Sequence, residues 1–290
     1  MKAGGIRPAR RPDGWVAPGP RPRAPAELVP DEHEDLCFLS GDFRIFQRVD
    51  GHRWSLDDLV TADYAAGAMG GVAPRRILDL GCGVGSVLLM LAWRFPKAQL
   101  VGVEAQELSL GLLRRSLWWN GVEDRVTVHH GDIRELGTII ASGIAGPVDG
   151  GFDLVSGTPP YFLPGDGVES PHVQRGPCRF EHRGGVEVYL EAMRLTLAPD
   201  GVGALCASAR PEGRTEAAAT ALGLHIRRRR QVIPRAGKAP LITLYEVSRS
   251  PAPLVEDAPL VVRDAQGRFT ADYDAIRARM GMPVFPPKAP

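Results

Sequence analysis

Two short apolar runs, each ending in a distinctive loop, constrain this chain more than anything else in it. Arg76-Ile77-Leu78-Asp79-Leu80 runs into Gly81-Cys82-Gly83-Val84-Gly85, and Phe152-Asp153-Leu154-Val155-Ser156 runs into Gly157-Thr158-Pro159-Pro160-Tyr161. Runs of this length bounded by Gly or Pro read as buried strands feeding turns. Around them the pattern alternates. Helices are predicted over Ser86–Phe95, Leu108–Asn120 and Val186–Leu197, closed by Pro96, Gly121 and the turn at Ala198–Gly201. Strands are predicted over Gln99–Glu104, Arg125–His130 and Val202–Ala207, with two late strands, Gly223–Val232 and Leu241–Val247, pairing antiparallel at the sheet edge. Short apolar strands separated by helical segments require a parallel sheet covered on both faces, so the fold class is α/β.

Four segments follow from the pattern: a basic Pro/Arg-rich tail over residues 1–30, expected to be disordered, a small N-terminal flap over 36–71, the core domain over 72–250, and a C-terminal extension over 251–290. In the flap, Phe43–Val49 reads as a strand, Asp50-Gly51 as a two-residue hairpin turn, and His52–Trp54 as the return strand. Ser55 then caps a helix reaching to about Met69, with Asp58 completing a capping box. Trp118-Trp119 is expected to face the sheet.

The glycine turn suits a nucleoside cofactor. A dinucleotide fold also places glycines here, but its third glycine falls where this chain has Ser86. Asp79, directly before the turn, would repel a pyrophosphate but suits a cationic amino-acid moiety. S-adenosylmethionine (SAM) has no phosphate and carries a sulfonium and an ammonium. Glu104 ends the second strand, where a carboxylate can take both ribose hydroxyls, and Asp132 follows the third, where one can accept from an adenine amino group. The cofactor-binding set is therefore Asp79, Gly81, Gly83, Gly85, Glu104 and Asp132, and the cofactor is SAM.

Thr158-Pro159-Pro160-Tyr161 is the candidate catalytic corner. Neither proline has an N–H, so the Pro159 carbonyl can point outward as an acceptor while Tyr161 stacks on a planar ring. An aryl amine is a poor nucleophile because its lone pair is delocalised; two acceptors on its N–H bonds localise that pair and aim it. Such catalysis is positioning and electrostatics.

These segments together resemble the class I SAM-dependent methyltransferases of exocyclic or amide nitrogens. The flanks narrow the likeness. Gln47 with Gly51-His52-Arg53-Trp54-Ser55-Leu56-Asp57, the tail Pro259–Asp264 with Gly267-Arg268-Phe269-Thr270, and the basic loop Arg179-Phe180-Glu181-His182-Arg183-Gly184 resemble the bacterial tRNA(Val) adenine-N6 methyltransferases. The resemblance spans about residues 36–280. It implies a Rossmann-like seven-stranded sheet, a tRNA substrate methylated at adenine N6 beside the anticodon, and substrate contacts from Arg179, His182 and Arg183. One departure stands out: the family has Asn where this chain has Thr158, although a Ser-Pro-Pro-Tyr corner in DNA cytosine-N4 methyltransferases makes a hydroxyl compatible with amine methylation. A protein-glutamine N5-methyltransferase and a non-catalytic SAM- or RNA-binding protein remain alternatives.

Charge and composition bound the rest. Lys and Arg number 35 against 34 Asp and Glu, a net charge of +1, so any RNA surface must be local. Arg227–Arg230 in a late edge strand reads as a phosphate-contacting rim or as a charged edge opposing aggregation. The cysteines Cys37, Cys82, Cys178 and Cys206 form no C-x-x-C pair, and no metal is expected. No apolar run approaches the ~20 residues of a membrane span, and Met1–Pro8 has no secretory core, so a cytoplasmic location is expected.

Overall fold

The computed structural model describes residues 28–137, 150–166 and 174–284. The basic tail lies almost wholly outside these residues, as does the insertion between Thr138 and Gly150. The elements in chain order are β1 (Glu34–Phe38), β2 (Arg44–Arg48), α1 (Leu56–Ala68), β3 (Arg76–Leu80), α2 (Ser86–Arg94), β4 (Gln99–Glu104), α3 (Glu107–Asn120), β5 (Val126–His130) and β6 (Phe152–Gly157). Then come α4 (Arg175–Arg179), α5 (Val186–Thr196), β7 (Leu197–Ser208), α6 (Arg214–Ala221), β8 (His225–Ile233), β9 (Ile242–Ser248), β10 (Val255–Glu256), β11 (Leu260–Val261) and α7 (Ala271–Arg279).

A seven-stranded core runs β8-β9-β7-β6-β3-β4-β5. Strands β5, β4, β3, β6 and β7 are mutually parallel, whereas β9 is antiparallel to both neighbours. From β3 the chain first builds outward through β4 and β5, then returns to the other side of β3 with β6. The crevice at the carboxyl ends of β3 and β6 is therefore the topological switch point, where open α/β sheets bind ligands. Leu80 lies in register with Gly157 across that junction, which brings the glycine turn beside the diproline corner.

Burial follows the sequence pattern. Val87 to Trp93 of α2 are buried on every face, as expected of a helix enclosed between the sheet and another helix. One apolar cluster joins α1, α2, α3 and the β1–β2 hairpin on one side of the sheet, and a second joins α5 and α6 on the other.

Three expectations are corrected. First, β2 pairs with the upstream strand β1, Leu36 opposite Phe46, and not with His52–Trp54. The tight turn expected at Asp50-Gly51 needs left-handed backbone at both residues, and neither adopts it. Instead Trp54 N–H donates to the Gln47 amide oxygen at 3.2 Å and His52 N–H to that of Gln174 at 3.1 Å, leading the chain straight into α1. Second, β8 is not an open edge, because β10 and β11 pair parallel with it. These strands bring acids to the arginines: Arg228 meets Asp257 at 2.7 Å, and Arg229 pairs with Glu256 and, at 2.7 Å, with Glu216. Much of the expected phosphate rim is thus spent within the chain. Third, Trp118 is exposed, and Trp119 sits edge-on to Phe46 of β2, so this pair faces outward and toward the hairpin.

The flap is fastened by side chains of α3. Asn120 Oδ1 accepts the Arg44 N–H at 2.9 Å, Asn120 Nδ2 donates to the Arg44 carbonyl at 2.7 Å, and Ser116 Oγ accepts the Phe46 N–H at 2.9 Å. The end of the chain returns to the same core, where Tyr273, Ile276, Met280 and Met282 are buried and Arg279 forms a two-pronged pair with Asp63 of α1 at 2.8 Å.

Candidate active site

The turn after β3 sets the floor of the site. Gly81, Gly83 and Gly85 have φ of +58°, +57° and +88°, a region L side chains rarely adopt. Their surroundings differ. A Cβ on Gly81 would lie 2.3 Å from the Tyr189 hydroxyl and one on Gly85 2.2 Å from Leu113, whereas one on Gly83 would meet nothing within 4 Å. Gly81 and Gly85 therefore admit the protein's own side chains, and Gly83 opens a cradle toward the cavity. Glu104, 5% exposed, borders that cradle: its two oxygens accept the N–H groups of Gly83 at 2.8 Å and Gln106 at 2.7 Å. Each oxygen retains a lone pair, as a bidentate contact to two hydroxyls requires. Burial raises the Glu104 carboxyl above its ordinary value.

The cavity at the switch point is lined by Gly81, Gly83, Glu104, Asp132, Thr158, Pro160 and Arg183 among the residues expected at the site. Three segments remote in sequence thus meet in one place. Asp79, Gly85, Pro159, Tyr161, Arg179 and His182 do not line it. Asp79 is 2% exposed and accepts the Ser156 hydroxyl of β6 at 2.7 Å, with burial pushing its carboxyl up to about 7. Asp132 holds Arg134 by both oxygens, at 3.0 and 2.8 Å, with Arg183 Nε 3.6 Å away; the Arg134 hydrogen bond keeps it below the usual carboxylate range.

Tyr161 is the largest departure from expectation. Its hydroxyl donates to Asp57 Oδ2 at 2.9 Å and lies 2.9 Å from Cys206 Sγ, while its ring packs against the main apolar cluster. Side chains alternate along an extended segment, so Tyr161 turns inward and Phe162 outward, 39% exposed. The end of α4 is tied to this corner: the Arg179 carbonyl accepts the Tyr161 and Phe162 N–H groups at 3.2 and 3.0 Å. His182 stacks loosely on Phe180, ring centroids 6.0 Å apart.

Several lining residues had no sequence signal for this role. Asp58 is legible as a capping acid, and its Oδ2 does accept the Ser55 N–H at 2.7 Å. Only the fold places its carboxylate on the cavity wall, where Oδ1 accepts the Ser86 hydroxyl at 2.6 Å. Burial, with Asp57 beside it, pushes Asp58 up to about 7. His52, Gln106, Cys178 and Tyr189 also face the cavity. Burial lowers His52 against the pull of Asp57, keeping the imidazole neutral near pH 7. Among the described residues, no group of three or more His, Cys, Asp or Glu side chains could hold a metal ion.

Comparison with known proteins agrees with this geometry. Residues 77–155, from β3 into β6, match a family model described as a methyltransferase domain. A tRNA1(Val) (adenine(37)-N6)-methyltransferase from Tolumonas auensis is 32% identical over 211 residues, covering 70% of this chain and 80% of the relative. One of the same name from Vibrio cholerae is 28% identical over 199 residues, covering 68% and 76%. A crystal structure from Agrobacterium tumefaciens, described as a predicted O-methyltransferase, superposes with a TM-score of 0.57 at 21% identity, covering 78% of this chain and 98% of that one, a likeness of fold. With the glycine turn and the diproline corner meeting at one cavity, and a relative of this identity matched over most of its length, the chain belongs to the tRNA1(Val) (adenine(37)-N6)-methyltransferase family of class I SAM-dependent enzymes.

Proposed function

We propose that this enzyme methylates the N6 amino group of an adenine in tRNA, beside the anticodon, in the cytoplasm. The observation that carries the reading is the cavity that the Gly83 cradle, Glu104, Thr158 and Pro160 share at the switch point. The residues present fit SAM: Gly83 leaves open space where a Cβ would stand, and Glu104 offers paired acceptors beside it. SAM supplies a methyl group on a sulfonium. Asp132 is assigned to the adenine end of the cofactor, and Asp79, behind the turn, favours its cationic amino acid by charge.

Thr158, on the cavity wall, accepts from the amine and helps localise its lone pair, and Arg183 at the rim meets the RNA backbone. A base in an unpaired loop enters such a cavity at little unstacking cost. The Thr158 hydroxyl reaches less far than the Asn amide of the family, so Thr158→Asn is expected to maintain or raise transfer. Purified protein, labelled SAM and tRNA from a strain lacking this modification test the whole reading. N6-methyladenosine in the digested tRNA is expected; label that enters only protein and resists ribonuclease would replace tRNA with a glutamine acceptor.

A further inference from the structure

Tyr161 cannot offer a free face while its hydroxyl is held by Asp57 and Cys206, so the aromatic surface beside the corner belongs to its neighbour. Phe162 is 39% exposed and Leu163 48%. Phe162 stands two residues beyond Pro160 of the cavity wall, and the Arg179 guanidinium lies 5.4 Å over its ring. The ring is not loosely held. Phe162 N–H donates to the Arg179 carbonyl at 3.0 Å, its own carbonyl accepts the Glu181 N–H at 2.8 Å, and the buried Phe180 supports it at 5.7 Å between centroids.

We infer that Phe162 is a stacking platform for an unpaired nucleotide next to the methylated adenine, with Arg179 meeting the adjoining phosphate. This rests on the RNA reading above and adds the surface that would present the loop. The chemistry suits a nucleic acid. A rigid exposed ring beside an exposed guanidinium matches a base joined to a phosphate, and base–aromatic stacking tolerates any base. Arg183, four residues beyond Arg179 and also exposed, lines the cavity itself, and backbone hydrogen bonds at Arg179 and Glu181 fasten Phe162 to this same segment. Among the described residues, no carboxylate pairs with Arg179.

The test is binding of an unmodified anticodon stem-loop transcript across a salt series, with SAM affinity and melting temperature measured alongside. Phe162→Leu keeps the apolar contact with Phe180 and removes the π face. It should weaken RNA binding by about 5- to 150-fold, leave SAM affinity unchanged, and leave the salt dependence unchanged, while Phe162→Trp restores binding. Arg179→Ala should lower the slope of log K against log salt by about 0.7, the signature of one phosphate contact to a single strand. If wild-type protein methylates the transcript and Phe162→Leu binds it as tightly as wild type, the platform is wrong and the RNA reading stands. A Phe162→Leu loss that appears entirely as a lower salt slope also overturns the platform. Wild-type protein that neither binds nor methylates RNA overturns both.

Discussion

Two buried carboxylates, Asp58 and Asp79, are each pushed up to about 7 from ordinary values near 4, mainly by burial. The folded state therefore holds their protons more tightly than the unfolded chain does. Stability from this source is complete below the unfolded values and is lost as pH rises through about 7. A cationic ligand near Asp79 favours the ionised form, so its benefit should grow over the same range. Melting temperature without ligand should fall between about pH 5 and about pH 8, and the increment from SAM should rise. Asp79→Asn, which keeps a partner for Ser156, should make the first curve shallower, with Asp58 still contributing, and flatten the second; an unchanged SAM increment would remove Asp79 from cofactor recognition. At Tyr161 the expectation is structural. Tyr161→Phe removes the hydroxyl that bonds Asp57 and should cost about 1.5–3 kcal/mol in chemical denaturation with SAM affinity intact. A loss of SAM affinity equal to the loss of stability would place this ring nearer the cofactor than its contacts indicate.

Among the elements, those defined by their own sequence were legible, and those defined by a distant partner were not. β4 begins and ends where Gln99 and Glu104 mark it, and Gly121 stops α3 as its position suggests. The hairpin was misread because Asp50-Gly51 is a strong turn signal only if the flanking chain pairs with itself. Here Gln47 and Gln174 take the backbone groups of Trp54 and His52 first. The arginines of β8 were misread for a related reason: two residues each from β10 and β11 cover that edge, and strands so short carry no periodicity. The bond between flap and core was also invisible, since Asn120 reads only as a polar helix end. Its amide serves the Arg44 N–H and carbonyl and the Ser116 carbonyl together. Asn120→Ala should strand those groups in a half-buried interface, destabilising the protein by about 2–4 kcal/mol. Hydrogen exchange should show new opening confined to β1 and β2. Uniform loss of protection would mean that the hairpin and the sheet fold as one unit.

At the scale of the molecule, the sequence motifs located the cavity and one part of its lining, but not the rest. The glycine turn and the diproline corner sit on neighbouring strands and are found together from strand order alone. His52, Asp58 and Cys178 reach the cavity from the segment ahead of α1, from α1 and from α4, which only the packed fold brings there. The position of α1, in turn, depends on the end of the chain. Leu260, Val262, Tyr273, Ile276, Met280 and Met282 are each no more than 8% exposed and belong to the cluster that contains Leu59, Val60 and Ala62 of α1. Burying one large apolar side chain is worth about 1.5–3 kcal/mol. Losing six would therefore remove on the order of 10 kcal/mol, as much as the whole stability of a typical domain. A chain ending at Ala258 keeps every residue that lines the cavity, so by motif content it should still bind SAM. By packing it should not: the expected outcome is loss of the cooperative thermal transition and of near-ultraviolet dichroism, with SAM binding lost together with them. A shortened chain that melts cooperatively and binds SAM like the full protein would show that α1 holds Asp58 in place without the terminal helix.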